Sequence, residues 1–576
     1  MSSAAETTPR LSPPRLRAMA LVISALASSQ VFAQATLVPP DADTSRLRPA
    51  PLPLPSVPNF DLRIETPEKS AVPKAVDDIE FDIRDIVVEG AAYYPTAVVN
   101  KIFQPLIGTR TRLDTLRAAA DALEARYRAD GFFLVRVFIP PQQVSNGIFQ
   151  IRVIEGFIES VSAEGGNDAA RALVEQMLAP VLNKKPIDLA SLERALLVLN
   201  DMPGIRGSGV LRPGTSLGAS ELVVSMPDQS RYSVSAGVNN TASKTMGTIG
   251  TLLSVNINNP FESRPGSLSL SVNTSGDLER LKAFNARYAT ALNADGLVMS
   301  VGGLLANARP GASLKSLDIE SNSASLSPRL RYALTRSRGL STFLEGGLSI
   351  NYSRTTLLGS ELTEDRSSVL DLAYAVTDNG RANGNTELSL GIAQGLPVLG
   401  ANSSNTSRPS VKGFDSSFTK LRFNLNRLQN LPGQYSVQML AQGQWTQDKL
   451  LAGEQVFFGG MGLGRAYDSG AVVGDKGAGA VLELRRDIFP GQWQGLKDGI
   501  LQLYVFTDYA HATSIANPVA GTGRSSNRLH SLGAGFRYRD NNGWSFEMLL
   551  ADARRTITSL DPRNDPRVLA ILTKSF

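Results

Sequence analysis

The chain has 576 residues, too many for one compact core, so two or more domains are expected. It holds no cysteine and only two histidines, which excludes a disulfide framework, Cys-ligated zinc and a thiol nucleophile and leaves little material for an imidazole-rich metal site. Its 58 basic and 53 acidic residues give a net charge of +5, a near balance that argues against a phosphate-driven nucleic-acid binder.

Arg10, Arg15 and Arg17 precede an apolar run over 18–27, and Val31-Phe32-Ala33 offers small residues at cleavage spacing, so residues 1–33 read as a secretory signal peptide cut after Ala33. The run is well short of the ~20 apolar residues that a spanning helix needs. Beyond residue 34 the apolar stretches are short and broken by polar residues, so the chain is either soluble in the periplasm or crosses a membrane as strands. Strands can do so only as a closed barrel, because inside lipid every backbone N–H and C=O must be paired.

Residues 34–77 form the next region, with Pro39, Pro40, Pro49, Pro51, Pro53, Pro55, Pro58, Pro67 and Pro73. That density predicts an extended, polyproline-like tether without helix or sheet.

From about residue 78 the pattern changes. Ile83, Ile86 and Val88 predict a strand and Gly90-Ala91 a turn, followed by a short helix over 96–103. A longer helix carries Leu113, Leu116, Ala120, Leu123 and Tyr127 at helical spacing and ends at Gly131 as a C′ residue. Strands over 132–139 and 148–155 follow, around Pro140-Pro141 and Ser145-Asn146-Gly147. The order β-α-α-β-β then recurs: a strand over 158–163, helices over 168–182 and 189–200, and strands over 205–211 and 221–226 about the turn Arg212-Pro213-Gly214. Two modules, 78–156 and 157–228, are expected. This succession resembles POTRA domains, the periplasmic polypeptide-binding modules of the barrel superfamily that includes the BamA insertase and the two-partner secretion transporters. The resemblance implies that exposed sheet edges and helix grooves receive an unfolded client by strand addition.

After Met226 alternation replaces helical periodicity through residues 229–576. Tyr232, Val234, Ala236 and Val238 interleave with Ser233, Ser235, Gly237 and Asn239. Leu421, Phe423 and Leu425 oppose Lys420, Arg422 and Asn424, while Leu501, Leu503, Val505 and Tyr509 oppose Gln502, Tyr504, Phe506 and Asp508. Alternation sustained this long, with Arg, Asn, Gln and Ser on the second face, predicts a transmembrane barrel with its apolar face to lipid and its polar face to a wet lumen. At about 22 residues per strand and its turn, the region accommodates sixteen antiparallel strands.

Residues 457–470 read FFGGMGLGRAYDSG. Gly464, Arg465, Ala466, Tyr467 and Asp468 form its core, and Phe506-Thr507-Asp508-Tyr509-Ala510 follows about forty residues later. These two stretches resemble the paired motifs of the two-partner secretion transporters, the ShlB/FhaC/HecB family: a VRG-Phe/Tyr loop that folds back into the lumen, and Phe-x-Asp-x-Gly on a late barrel strand. Here the loop core is GRAY and Ala510 replaces the glycine. Asp508 lies on the lumen face of its strand, so a bidentate Arg465–Asp508 pair anchoring the loop tip is expected. The resemblance implies that this pair holds the loop in its transport-competent position. It also implies that Phe576, the terminal aromatic, is the signal read by the barrel assembly machinery, and it leaves the proline-rich segment open as either a tether or a plug that threads the barrel.

The expected function is an outer-membrane transporter whose POTRA modules take an unfolded exoprotein, of adhesin, cytolysin or toxin type, in the periplasm and whose barrel exports it. The expected surroundings are outer-membrane lipid, with no nucleic acid, cofactor, metal or catalytic residue. Two modules favour this subfamily over an insertase for other barrels, which is the alternative. An enzyme in the barrel wall would need a serine, a histidine and a positioning group; His511 ends the Asp508 strand with no nucleophile motif beside it. A passive porin leaves both modules unexplained.

Overall fold

The computed structural model describes residues 38–49, 52–55, 62–64, 80–144, 146–403, 405–492, 498–519, 521–554 and 566–576. The signal-peptide expectation lies outside the described residues, as does most of the proline-rich segment.

In the first module Asp85–Glu89 pairs in parallel with Ile148–Ile154, which pairs antiparallel with Arg136–Phe138. Helices Thr96–Phe103 and Leu113–Ala129 cover the sheet, burying Val99, Phe103, Leu116, Leu123 and Tyr127 against Phe149, Ile151 and Val153. The longer helix stops as expected: Gly131, at φ +97°, donates its N–H to Arg128 and Phe132 to Tyr127, a Schellman closure. The strand expected over 132–139 shrinks to three residues, because Phe132 and Val135 turn into the core instead of alternating.

The second module has a sheet in which Phe157–Gly165 pairs with Ala219–Met226, and that strand with Ser208–Pro213. Its first helix, Asp168–Leu178, is shorter than expected and passes into a 3-10 turn at Ala179–Val181, where Pro180 cannot supply the next N–H. The turn expected at 212–214 falls at 214–219, so that Pro213 ends its strand; Gly214 donates to the Ala219 carbonyl.

Sixteen antiparallel strands follow in chain order from Tyr232–Asn239 to Arg567–Ser575, and the last closes on the first. The closing register is extended by Phe576, whose N–H donates to the Val234 carbonyl at 2.8 Å. Outward positions such as Leu372, Val505 and Tyr509 are exposed, whereas inward Tyr504, Phe506 and Asp508 are buried. The inversion expected for an outer-membrane barrel is therefore present: apolar outside, polar or packed inside.

Module and barrel are locked together. The Asp201 carboxylate, just past helix Leu189–Asn200, takes two hydrogen bonds of 2.8 Å from Arg336 in the turn between the sixth and seventh barrel strands. Arg194 of the same helix donates to the carbonyls of Ala333 and Leu334. The Arg336 side chain is fully buried and Asp201 nearly so, hence Asp201→Ala, which strands a buried guanidinium, should cost ~3–5 kcal/mol. Hydrogen exchange at residues 336–341 should show that loss as local deprotection, while the distant thirteenth strand keeps its protection.

The proline-rich segment departs from expectation. Thr44–Arg46 forms a 3-10 turn, and Leu62–Ile64 is a strand lying parallel to Gly209–Leu211 on the free edge of the second module's sheet. Proline blocks a ladder only at its own nitrogen, and both stretches lie in proline-free windows of eight residues, 41–48 and 59–66.

Candidate functional site

Residues 38–55, where described, run through the lumen from the extracellular end toward the periplasm. Near the top, Thr44 N–H and Oγ1 contact Ser321 Oγ at 3.2 and 2.9 Å, and Ser323 Oγ donates to the Thr44 carbonyl at 3.0 Å. Near the bottom, Arg331 donates to the carbonyls of Pro53, at 2.7 Å, and Leu52. Ser321, Ser323 and Arg331 share the inward face of the sixth strand, Glu320–Thr335. Apart from the 3-10 turn at Thr44–Arg46 this lumenal segment is extended, and the carbonyls of Thr44, Leu52 and Pro53 find donors on the polar wall.

The inward loop lies between the eleventh and twelfth strands on a short hairpin stem, Val456–Phe458 with Val472–Gly474. Its tip is closed by Gly459 N–H to Leu463 C=O at 2.8 Å, Gly460 N–H to Tyr467 C=O at 3.0 Å, and Tyr467 N–H to Gly464 C=O at 2.9 Å. Gly464, at φ +98°, supplies a left-handed turn that aims two successive N–H groups at the wall. Ala466 is not at positive φ, so its Cβ is accommodated where the motif has glycine.

Those two N–H groups meet Asp508 on the thirteenth strand, Ile500–Ser514. Its Oδ2 accepts Gly464 N–H at 3.0 Å, Arg465 N–H at 2.9 Å and Ser531 Oγ–H at 3.0 Å. The expected guanidinium pairing of Arg465 with Asp508 is not made. Arg465 Nη1 instead donates to Glu483 Oε2 at 2.9 Å, with the guanidinium carbon 4.3 Å from the centre of the Phe506 ring. The register explains the correction. Asp508 sits opposite Val481 and Phe506 opposite Glu483, so with Asp508 holding its backbone, the long Arg465 side chain crosses Phe506 and ends one inward position further along.

Glu483, on the twelfth strand Lys476–Ile488, is fully buried and also accepts from Arg485 Nε at 2.6 Å and from Arg537 Nη1 and Nη2 at 2.5 and 3.2 Å. Three guanidiniums converge on one carboxylate, a geometry in which each hydrogen bond is charge-assisted. The remaining motif residues add contacts: Tyr467 Oη–H donates to the His530 carbonyl at 3.0 Å, and Asp468 pairs with Arg567 of the last strand at 3.1 Å. Ala510, where the motif has glycine, faces Gly479 across the ladder; a Cβ on Gly479 would lie 2.8 Å from Ala510 Cβ and Leu463 Cδ1. The space has moved across one strand pair.

At the loop's base Glu454 joins the loop, the wall and the lumenal segment. Its Oε2 accepts Lys420 Nζ at 2.9 Å, and its Oε1 accepts Ser367 Oγ at 2.9 Å and Arg48 Nη2 at 3.1 Å, while Arg48 also reaches the Gly453 carbonyl at 2.5 Å. Thus the lumenal segment and the loop share a carboxylate.

Two family models match this chain: the haemolysin secretion/activation protein ShlB/FhaC/HecB over residues 218–538, and the ShlB-type POTRA domain over residues 81–156. The chain belongs to the ShlB/FhaC/HecB haemolysin secretion/activation family. Among its relatives, the heme/hemopexin transporter protein HuxB of Haemophilus influenzae strain 86-028NP is 22% identical over 78% of this chain and 79% of its own length. The outer membrane transporter CdiB of Escherichia coli is 25% identical over 71% of this chain and 69% of its own. The solved structure of CdiB from Escherichia coli superposes with a TM-score of 0.68 at 19% identity, covering 99% of this chain and 100% of that one. BamA from Haemophilus ducreyi lacking POTRA domains 1–3 is more distant, at a TM-score of 0.51 and 12% identity over 87% of this chain and 100% of that one.

As a member of the ShlB/FhaC/HecB family the chain is a two-partner secretion transporter of the outer membrane, with periplasmic POTRA modules and a barrel through which an exoprotein leaves. Sequence reasoning passed over Glu483, Arg537, Glu454, Lys420 and Arg48. Glu483 and Arg485 share the inward face of a strand reading VLELRRDI, and an acidic side chain there, between apolar outward neighbours, was the available signal.

Proposed function

We propose that the structure is the resting, closed form of the transporter, in which the tether plugs the lumen and the Gly464–Asp468 loop tip, docked on Phe506, Asp508 and Glu483, holds the wall in register. The observation that carries this is the shared carboxylate of Glu454, through which plug residue Arg48 contacts the base of the loop. Export then requires the plug to leave and its lumen partners to be re-satisfied by the client or by water. The edge strand Leu62–Ile64 supports a place for the client, since a polypeptide adding to Ser208–Pro213 would have to take that position.

The client is a secreted polypeptide of adhesin, cytolysin or toxin type. HuxB is a heme/hemopexin transporter and the ShlB of Serratia marcescens a hemolysin transporter by name, and both are relatives of this chain. Module limits of 78–156, 157–228 and 229–576 are supported by the separate core of the first module and by the onset of barrel pairing at Tyr232. Phe576, exposed at the closing seam, serves as the assembly signal, and the apolar outer surface meets membrane lipid. Export as proposed calls for no bond chemistry by the chain itself.

Comparing culture-medium and outer-membrane proteomes of the native host, with the gene intact or deleted, tests the reading. Loss of one large exoprotein from the medium, with other barrels unchanged, is expected. Broad loss of outer-membrane barrels would instead make the chain an insertase.

A further inference from the structure

The outer face of the barrel is not uniformly convex. A concavity of about 890 Å³ runs across the outward side, from Leu344 and Tyr374 past Leu421 to Trp445, and ends at Lys476, His511 and Arg524. Small residues hollow it. Gly391, Gly477 and Ala478 are in its lining, and the Phe423 ring at its wall lies over Gly443, where a Cβ would come within 2.3 Å of it.

One end of this concavity is polar and basic. Lys476 opens the twelfth strand directly after the long inward loop, opposite Thr513, while Arg524 and Arg528 flank the start of the fourteenth strand, Ser525–Arg539. His511 is opposite Arg528 and bonded to Ser526, and Thr513 is opposite Ser526. With the POTRA modules in the periplasm, this end lies at the extracellular boundary, beside the outward Trp445, whose ring suits the membrane interface.

Some other outward cations near the extracellular side are neutralised locally. On the seventh and eighth strands the outward arginines near the extracellular side are matched by carboxylates, Arg354 with Glu361 at 3.1 Å and Arg366 with Glu364 at 2.8 Å. Lys476, Arg524 and Arg528 have no carboxylate partner among the described residues. Three unmatched cations above an apolar hollow make an amphipathic site for an anionic headgroup on hydrocarbon chains.

We propose that this concavity binds one phosphorylated, multi-acyl glycolipid of the outer leaflet, its phosphates on Lys476, Arg524 and Arg528 and its chains along the Leu421–Tyr374 hollow. A glycolipid, rather than a phospholipid, is specified by position, since the basic end faces the leaflet built of phosphorylated glycolipid. The inference rests on the outer-membrane placement of the chain and is independent of how the loop and plug act.

Full-length protein in mild detergent, weighed intact by native mass spectrometry with added diphosphoryl lipid A, tests it. One bound lipid A is expected on the unaltered protein. Affinity should be about tenfold or more weaker when Lys476→Gln, Arg524→Gln and Arg528→Gln are combined, and unchanged when Arg354→Gln and Arg366→Gln are combined. Ala478→Leu, which fills the hollow without altering charge, should also weaken binding; heat-resistant gel migration verifies that each variant has folded. The proposal is overturned if the triple variant binds as well as the parent, or if dephosphorylated lipid A or phosphatidylglycerol binds equally well.

Discussion

Arg465→Ala should cut export of the client by roughly ten- to a hundredfold while the barrel still assembles and closes. The lost contact is a hydrogen bond from a guanidinium to a buried carboxylate, in a class that contributes ~1.5–3 kcal/mol, and each ~1.4 kcal/mol changes the ratio of docked to undocked loop about tenfold. Companion variants separate the observed pairing from the one expected on sequence grounds. Glu483→Gln should reproduce the Arg465→Ala defect or exceed it, because it leaves Arg465, Arg485 and Arg537 crowded around a neutral amide. Asp508→Asn should retain most export, since a carboxamide oxygen can still accept the Gly464 and Arg465 N–H groups. Secretion assays on the three variants, with outer-membrane levels as the control, decide the matter. A severe Asp508→Asn defect beside a mild Glu483→Gln defect would restore the Arg465–Asp508 ion pair.

A second large effect is expected from fixing the plug. Thr44 Oγ1 and Ser321 Oγ are 2.9 Å apart, and the chain contains no cysteine, so Thr44→Cys with Ser321→Cys creates one unambiguous cross-link. Bond formation needs the two sulfurs to close to about 2.05 Å, a small further approach. Oxidised, the double variant should export less than about a tenth as much client as the parent; reductant should restore export, and each single-cysteine variant should behave as the parent. Normal export by the fully oxidised protein would show that the plug stays in the lumen during transport and that the client passes beside it.

Much of the architecture was legible in the residues. The helices of both modules appeared at 3.6-residue spacing because each covers one face of a sheet, as Leu116, Leu123 and Tyr127 do. The barrel strands appeared because lipid and lumen impose opposite demands on alternate residues, so Leu501, Leu503, Val505 and Tyr509 separate cleanly from Gln502, Phe506 and Asp508. Errors clustered where local pattern is weak. Phe132 and Val135 look like strand and pack as loop, and the short stretches at residues 44–46 and 62–64 pair with distant partners, Ser321 and Gly209–Leu211, that no local pattern announces.

Composition and periodicity pointed to an exported chain with tandem α/β modules, a barrel and a lumen-facing wall residue Asp508, and the resemblance carried by two short motifs added an inward loop bearing Arg465. Tertiary structure alone decided which groups meet. Strand register put Glu483, rather than Asp508, within reach of the Arg465 guanidinium, and barrel closure brought Arg48 of the tether to Glu454 some four hundred positions later. The physical reason is the range of each signal. Burial and solvent act on every residue where it stands and therefore write a local pattern, whereas an ion pair depends on the separation of two side chains that only the closed sheet defines.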